Sequence, residues 1–259
     1  MPKSNLINRS IIKKYRKPIW TKFIKAVKDY NLIEENDNIA VCISGGKDSM
    51  LMALCFQELQ HHSSYKFNCH YIVMNPGYSQ EHLKQIQSNA EKFNINIEIF
   101  NTNIFEIVNK NEAKGCFLCA RMRRGYLYNQ AKILGCNKIA LGHHFNDVIE
   151  TVLLNMLYNG QYSGMLPILN SDNFKGLKLI RPLYYIKEED IISWCKYNRL
   201  TFIDCACLIT KQKDGKRKYI KELIKEIVHD NKNADINILN ATSNINPKTL
   251  LGLVNKIDN

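Results

Sequence analysis

Apolar and polar positions along this chain fall into blocks that read as strands followed by helices. The run Ile39-Ala40-Val41-Cys42-Ile43 carries no polar side chain and predicts a strand buried on both faces. Met50-Leu51-Met52-Ala53-Leu54-Cys55 follows as the apolar part of a helix. The pattern then predicts a strand over 67–74, a helix over 80–93 and a strand over 95–100. Residues 104–108 suit a short helix or a strand. A basic helix ends near Leu134 and is closed by Gly135. Then come a strand over 138–141, a helix over 148–157, a strand over 177–185, a helix over 188–197 and a short extended segment over 202–207. Such alternation predicts an α/β fold with a doubly wound, mainly parallel sheet.

Upstream, residues 6–32 place Ile11, Ile12, Ile19, Trp20, Phe23 and Val27 at roughly helical spacing among lysines and arginines, with a break or start near Pro18. Downstream, 211–218 reads as a basic loop, and helical spacing returns over 219–228 and 249–254. The expected organisation is an N-terminal helical extension over 1–35, a main domain over 36–210 and a basic helical tail over 211–259. No internal repeat or composition break marks a second full domain.

Composition narrows the picture. Hydrophobic residues make up 45% of 259, enough for a large core. The net charge of +12 suits a polyanion such as RNA, although lysine-rich surfaces also serve solubility alone. No apolar run has membrane-spanning length, so no membrane partner is expected. The N-terminus does not read as a secretory signal, and nine cysteines then point to a reducing cytoplasm. Cys42, Cys55, Cys69, Cys136 and Cys195 lie among apolar neighbours and read as core fillers.

The chemistry gathers after the first strand, at Ser44-Gly45-Gly46-Lys47-Asp48-Ser49. Strand, glycine turn and helix N-terminus together make an anion site, because free amides and the helix dipole favour phosphate. Ser44 and Ser49 can donate hydroxyl hydrogen bonds, and Lys47 can neutralise phosphate charge. Asp48 suits a magnesium ion or a helix cap. An ordinary turn with polar caps is the bland alternative. The spacing is not that of a Walker loop. It resembles the PP-loop, SGGxDS, of the ATP pyrophosphatase superfamily. That resemblance implies an adenine nucleotide alpha hydrolase-like fold and cleavage of ATP to AMP and pyrophosphate. A second cluster, Gly142-His143-His144 with Asp147, sits at the turn where such a sheet binds ligands. Asp147 suits a helix start as well as a catalytic role.

Cys116 and Cys119 have CxxC spacing, and Cys205 and Cys207 offer one or two more sulfurs. Four sulfurs suit a structural zinc, whereas three leave an open position; spacing alone does not choose between zinc and iron–sulfur.

Further motifs carry a closer resemblance. Cys116-Phe117-Leu118-Cys119-Ala120-Arg121-Met122-Arg123-Arg124-Gly125 is similar to the CxxCxxxRRG signature of the TtcA-type tRNA 2-thiolation enzymes. Asn31-Leu32-Ile33, the PP-loop, Leu141-Gly142-His143-His144, Asp147-Val148-Ile149-Glu150-Thr151, Met165-Leu166-Pro167 and Ile180-Arg181-Pro182-Leu183 match the same family in the same order. The resemblance implies conversion of cytidine 32 of tRNA to 2-thiocytidine, with ATP, Mg²⁺ and a 4Fe-4S cluster held by three cysteines. Carried over to this chain, the ligands are Cys116, Cys119 and Cys207, with Cys205 as the alternate. Arg121, Arg123 and Arg124 would contact RNA or ATP phosphates. The partners implied are tRNA and a cysteine desulfurase as sulfur source, and a homodimer is allowed. The family's usual Arg-Asp after the paired histidines is Phe145-Asn146 here, and the C-terminal tail matches no part of the pattern. The rival readings are another PP-loop sulfurtransferase, acting on uridine or a small molecule, and a non-catalytic zinc-stabilised RNA-binding protein.

Overall fold

The computed structural model describes residues 3–109, 115–203 and 215–253. The chain divides into two compact units, Met1–Phe145 with Leu166–Lys213, and Asn146–Met165 with Asp214–Asn259. The first unit holds one six-stranded sheet, made of β1 (Asn38–Ile43), β2 (Asn68–Asn75), β3 (Ile97–Asn101), β4 (Lys138–Ala140), β5 (Ile168–Asn170) and β6 (Lys178–Ile180). The strand order is β3-β2-β1-β4-β6-β5, and only the β5–β6 pairing is antiparallel. The chain leaves β1 to one side and returns to its other side as β4. That reversal opens a crevice at the C-terminal end of β1.

Helices accompany this sheet: α1 (Lys3–Ile12), α2 (Thr21–Asp29), α3 (Lys47–His62), α4 (Gln80–Lys92), α5 (Ile104–Asn109), α6 (Gly115–Ile133) and, after α7 (Phe145–Asn159), α8 (Glu188–Tyr197). Alternation along β1 divides its side chains. Ala40 and Cys42 pack with Ile72, Ile139, Leu179 and Ala131 of α6, so Ile39, Val41 and Ile43 face the opposite side. Helix α3 packs against β1, α1 and α8. Its buried residues run without a gap from Ser49 to Phe56. A helix apolar all round is enclosed on every side, and this one is the pillar of the unit. Pro18 lies in a π-helical turn, Arg16–Trp20, that joins α1 to α2.

At the opposite, N-terminal end of the strands, β4 buries the lysine Lys138, which is 1% exposed. Its ammonium pairs with Glu34 and Asp37, each at 2.7 Å. Asp37 also accepts from the Glu34 amide at 2.6 Å and from Asn137 Nδ2 at 2.7 Å. Removing one partner strands a buried charge, which is far costlier than losing a surface pair. We expect Lys138→Met to destabilise the unit by about 3–5 kcal/mol in urea unfolding. A loss below about 1 kcal/mol would mean that Asp37 is solvated or protonated without its lysine.

The second unit contains α7 from Asn146 onward, then α9 (Gly215–Asp230) and α10 (Ala234–Ala241). Arg217 of α9 reaches Asp147 at 3.0 Å and Glu150 at 2.9 Å on α7. Burial pushes the Glu150 carboxyl up, while Arg217 pulls it back. Asn155 Nδ2 donates to the carbonyl and hydroxyl of Ser163 at 3.0 and 2.9 Å, tying the loop after α7 back onto the helix.

Several expectations need correction. The strand expected over 177–185 is only Lys178–Ile180, because Pro182 lacks a donor and the chain turns there, with Tyr184 N bonding Arg181 O at 3.3 Å. The antiparallel β5 was not foreseen in the loop before it. Helix α7 begins at Phe145 instead of 148; the buried Phe145 donates its N–H to Ile186 O at 3.0 Å. Residues 215–218, expected in a basic loop, form the first turn of α9, and the helical tail also holds α10, between the two stretches where helical spacing was read. Cys69 is half-buried, not a core filler, because it sits near the N-terminal start of β2, where the strand is still exposed.

Candidate active site

The candidate site starts where β1 ends. Gly45 has φ +85, and an added Cβ would lie 2.7 Å from Ile86 Cγ1 of α4, so both conformation and space require glycine. Ser49 Oγ lies 3.1 Å from the Ser44 amide and from Ser44 Oγ, and donates to Gly46 O at 3.0 Å. These bonds fold the loop back on the first turn of α3 without a side-chain cap at Gly46. The first amides of the helix are therefore presented to the crevice, as an anion site requires.

Lys47 opens α3. Its ammonium lies 3.2 Å from Asp48 Oδ2 and 3.2 Å from Glu188 Oε1 on α8. Burial disfavours the charged lysine, but Asp48 and Glu188 outweigh it and hold its pKa above the ordinary value. The group is a fixed cation at neutral pH. From the β4 side, Gly142 meets the same turn: a Cβ there would come within 3.1 Å of Ser49 N and Cα. The obstacle is backbone, which cannot swing away. His144 is buried, with Nε2 4.0 Å from Asp48 Oδ1, while His143 is half-buried.

A cavity of about 750 Å³ opens over this loop. Its walls include Ser44, Gly46, Lys47 and Asp48, then Arg123 of α6, and residues 199–203 beyond α8. Ile203 donates its N–H to Gly45 O at 3.3 Å, which ties the end of this wall to the phosphate loop two residues before Cys205 in the sequence. Cys205 and Cys207 themselves lie outside the described residues.

The structure therefore brings together Ser44, Gly45, Gly46, Lys47, Asp48, Ser49, Gly142 and His144, which are scattered over two separate motifs in sequence. It separates the three arginines. Arg123 lines the cavity and lies 5.6 Å from the Phe105 ring, whereas Arg121 and Arg124 are exposed. Cys116 falls in the first turn of α6. Cys119, one turn before Arg123, is 8% exposed among Met74, Ile104 and Val108. Asp147 is engaged with Arg217 in the second unit. Among the described residues no group of three or more His, Cys, Asp or Glu is arranged for a metal, and no described helix is long and apolar enough to cross a membrane.

Sequence reasoning missed Glu188, because the run Glu188-Glu189-Asp190 reads as an ordinary acidic first turn that complements the helix dipole. It also missed Cys195, which is packed as expected yet borders the cavity; burial pushes its thiol up to about 12, against the pull of Lys47.

This geometry agrees with comparisons to known proteins. A PP-loop domain family matches residues 16–227. The tRNA-cytidine(32) 2-sulfurtransferase of Geobacter metallireducens is 36% identical over 242 residues, covering 92% of this chain and 93% of that one. Its counterpart from Coxiella burnetii is 37% identical over 233 residues, covering 88% and 89%. In structure, the U34-tRNA thiolase NcsA of Methanococcus maripaludis, determined with its 4Fe-4S cluster, superposes with a TM-score of 0.70 at 22% identity, over 86% of this chain and 77% of that one. The likeness to NcsA carries the fold alone. From the domain match and the two relatives it follows that this chain belongs to the PP-loop family and, within it, to the tRNA-cytidine(32) 2-sulfurtransferase family.

Proposed function

We propose that this protein is an ATP-dependent thiolase that replaces O2 of cytidine 32 in tRNA with sulfur, releasing AMP and pyrophosphate. The observation that carries this reading is the shared cavity. The phosphate loop forms one wall, Arg123 of the cysteine-bearing helix another, and the segment leading to Cys205 and Cys207 a third. Activation of the base and delivery of sulfur would therefore meet in one place.

The loop amides and the charged Lys47 would hold the β- and γ-phosphates of ATP, and Asp48, beside Lys47, would hold Mg²⁺. O2 of the cytosine attacks the α-phosphorus; a P–O bond forms and pyrophosphate leaves onto the loop. Lys47 is already positioned by Asp48 and Glu188, so it neutralises the departing charge without rearranging. Arg123 faces the same cavity and suits the α-phosphate or the RNA strand. The base is now an O-adenylate. Sulfide adds to C2, the C2–O bond breaks, and AMP carries the oxygen away. A 4Fe-4S cluster on Cys116, Cys119 and Cys207, with Cys205 as the alternate, would leave one iron open and supply that sulfide. Among these, the described Cys119 fits: it is sheltered among apolar side chains one turn from the cavity-lining Arg123. A cysteine desulfurase is the proposed origin of the sulfur, and a reducing cytoplasm the proposed setting, which suits cysteines that stay free. The anticodon loop suits the site because its bases can leave the stack.

Nucleoside analysis of tRNA from cells with and without this protein tests the reading. The expected result is 2-thiocytidine that depends on the protein. Thiouridine alone would reassign the substrate to a uridine, and no thiolated nucleoside would end the thiolase reading.

A further inference from the structure

A second cavity, of about 730 Å³, lies between α1 and the C-terminal end of α8. Five cations line it: Arg9, Lys13 and Lys14 from α1 and its end, Lys92 from α4, and Arg199. No carboxylate does, and among the described residues none of the five is paired with one. Five unneutralised charges around one groove repel each other and gain only when an anion enters. The walls are held together. Ser10 Oγ on α1, buried, accepts from Trp194 Nε1 and Asn198 Nδ2, each at 3.1 Å, and Tyr15 reaches Ser193 O at 2.9 Å. Tyr197 is 52% exposed beside the groove, with Lys14 Nζ 3.6 Å from its ring centroid. Cations interleaved with an exposed ring suit a strand of phosphates and bases, not a small anion.

Arg199 ties this groove to the candidate active site, because it borders both cavities. Its backbone is also unusual, with φ +52. Arg199 N bonds Lys196 O at 3.1 Å and Leu200 N bonds Cys195 O at 3.0 Å, which is the left-handed helix end that normally takes glycine. A side chain there costs stability. A position unfavourable to a long side chain thus carries the guanidinium that borders both cavities.

We propose that the groove of α1 and α8 binds the phosphodiester backbone of the tRNA substrate, with Arg199 holding the phosphate where the strand passes from the groove to the ATP cavity. This rests on the thiolase reading. Charge complementarity argues for it: a groove whose charged residues are all cations shares Arg199 with a cavity that must admit a base of a polyanion.

The test measures tRNA binding by the full-length protein across a salt series, for the wild type, Arg199→Gly and the double variant Lys13→Ala, Lys14→Ala. Each phosphate contact removed should shrink the log–log salt slope by about 1. The double variant should weaken binding about tenfold or more while ATP affinity stays unchanged. Arg199→Gly should bind tRNA more weakly and yet melt at the same or a higher temperature, since glycine relieves the backbone. Restored affinity in Arg199→Lys would support a phosphate contact. Wild-type affinity and slope in both Arg199→Gly and the lysine variant would overturn the groove assignment while leaving the thiolase reading intact. A wild-type protein that binds no tRNA at any salt would overturn both.

Discussion

Lys47→Ala should lower ATP-dependent thiolation by roughly 10²–10³-fold, the usual cost of removing one preorganised charge-stabilising donor. Two effects act in the same direction. The departing pyrophosphate loses its fixed cation. The carboxylates of Asp48 and Glu188, each 3.2 Å from the ammonium, then face the phosphates without it. Repulsion of a polyanion by two partly buried carboxylates should also raise the KM for ATP. The lysine contributes to kcat and to binding together, so kcat/KM should fall more than either alone. Pyrophosphate release, followed with tRNA and sulfide in excess, checks this. Near wild-type turnover would remove the phosphate-loop assignment, and an unchanged visible spectrum of the reconstituted protein would show that the loss is confined to the nucleotide step.

The cysteine series should have the other large effect. Cys116→Ala, Cys119→Ala and Cys207→Ala should each abolish the cluster and thiolation, whereas Cys205→Ala should keep much of both. With one residue between them, Cys205 and Cys207 would both reach a single metal only through strain or a special turn, so one of the two should be dispensable. Cys119 is already buried among Met74, Ile104 and Val108, so its alanine variant removes one sulfur from a packed site. That should cost about 1 kcal/mol of stability, too little to unfold the protein and explain a lost cluster. Iron and sulfide content with visible spectra after anaerobic reconstitution decide the series. Loss confined to Cys205→Ala of the downstream pair would reverse the assignment. A zinc-loaded, active protein would remove the iron–sulfur reading.

The core of this protein was legible because its signals are local. The apolar run of β1, the two glycines and the apolar start of α3 are contiguous, and each residue type already constrains the backbone. The helix over 188–197 was read to its final bounds for the same reason: acids at its start and a clear apolar period. Local signals failed where packing decides. The antiparallel β5 is three residues long and mostly exposed, too short to show a period, and exists because β6 offers it an edge. The second unit joins Asn146–Met165 to Asp214–Asn259, so no break in composition could mark it.

The candidate site divides along the same line. By itself the sequence determined the phosphate loop, since its amides, lysine and helix start lie within six consecutive residues. It also determined which cysteines have metal spacing. Only the tertiary structure decided what surrounds that lysine: Glu188 is 141 residues away and reads locally as a helix-start acid. Only packing showed that Arg123, alone of the three helix arginines, turns to the cavity, and that Arg199 stands between two of them. A charge takes its role from what the fold brings within a few ångströms of it, and Coulomb energy depends on that distance, not on separation along the chain.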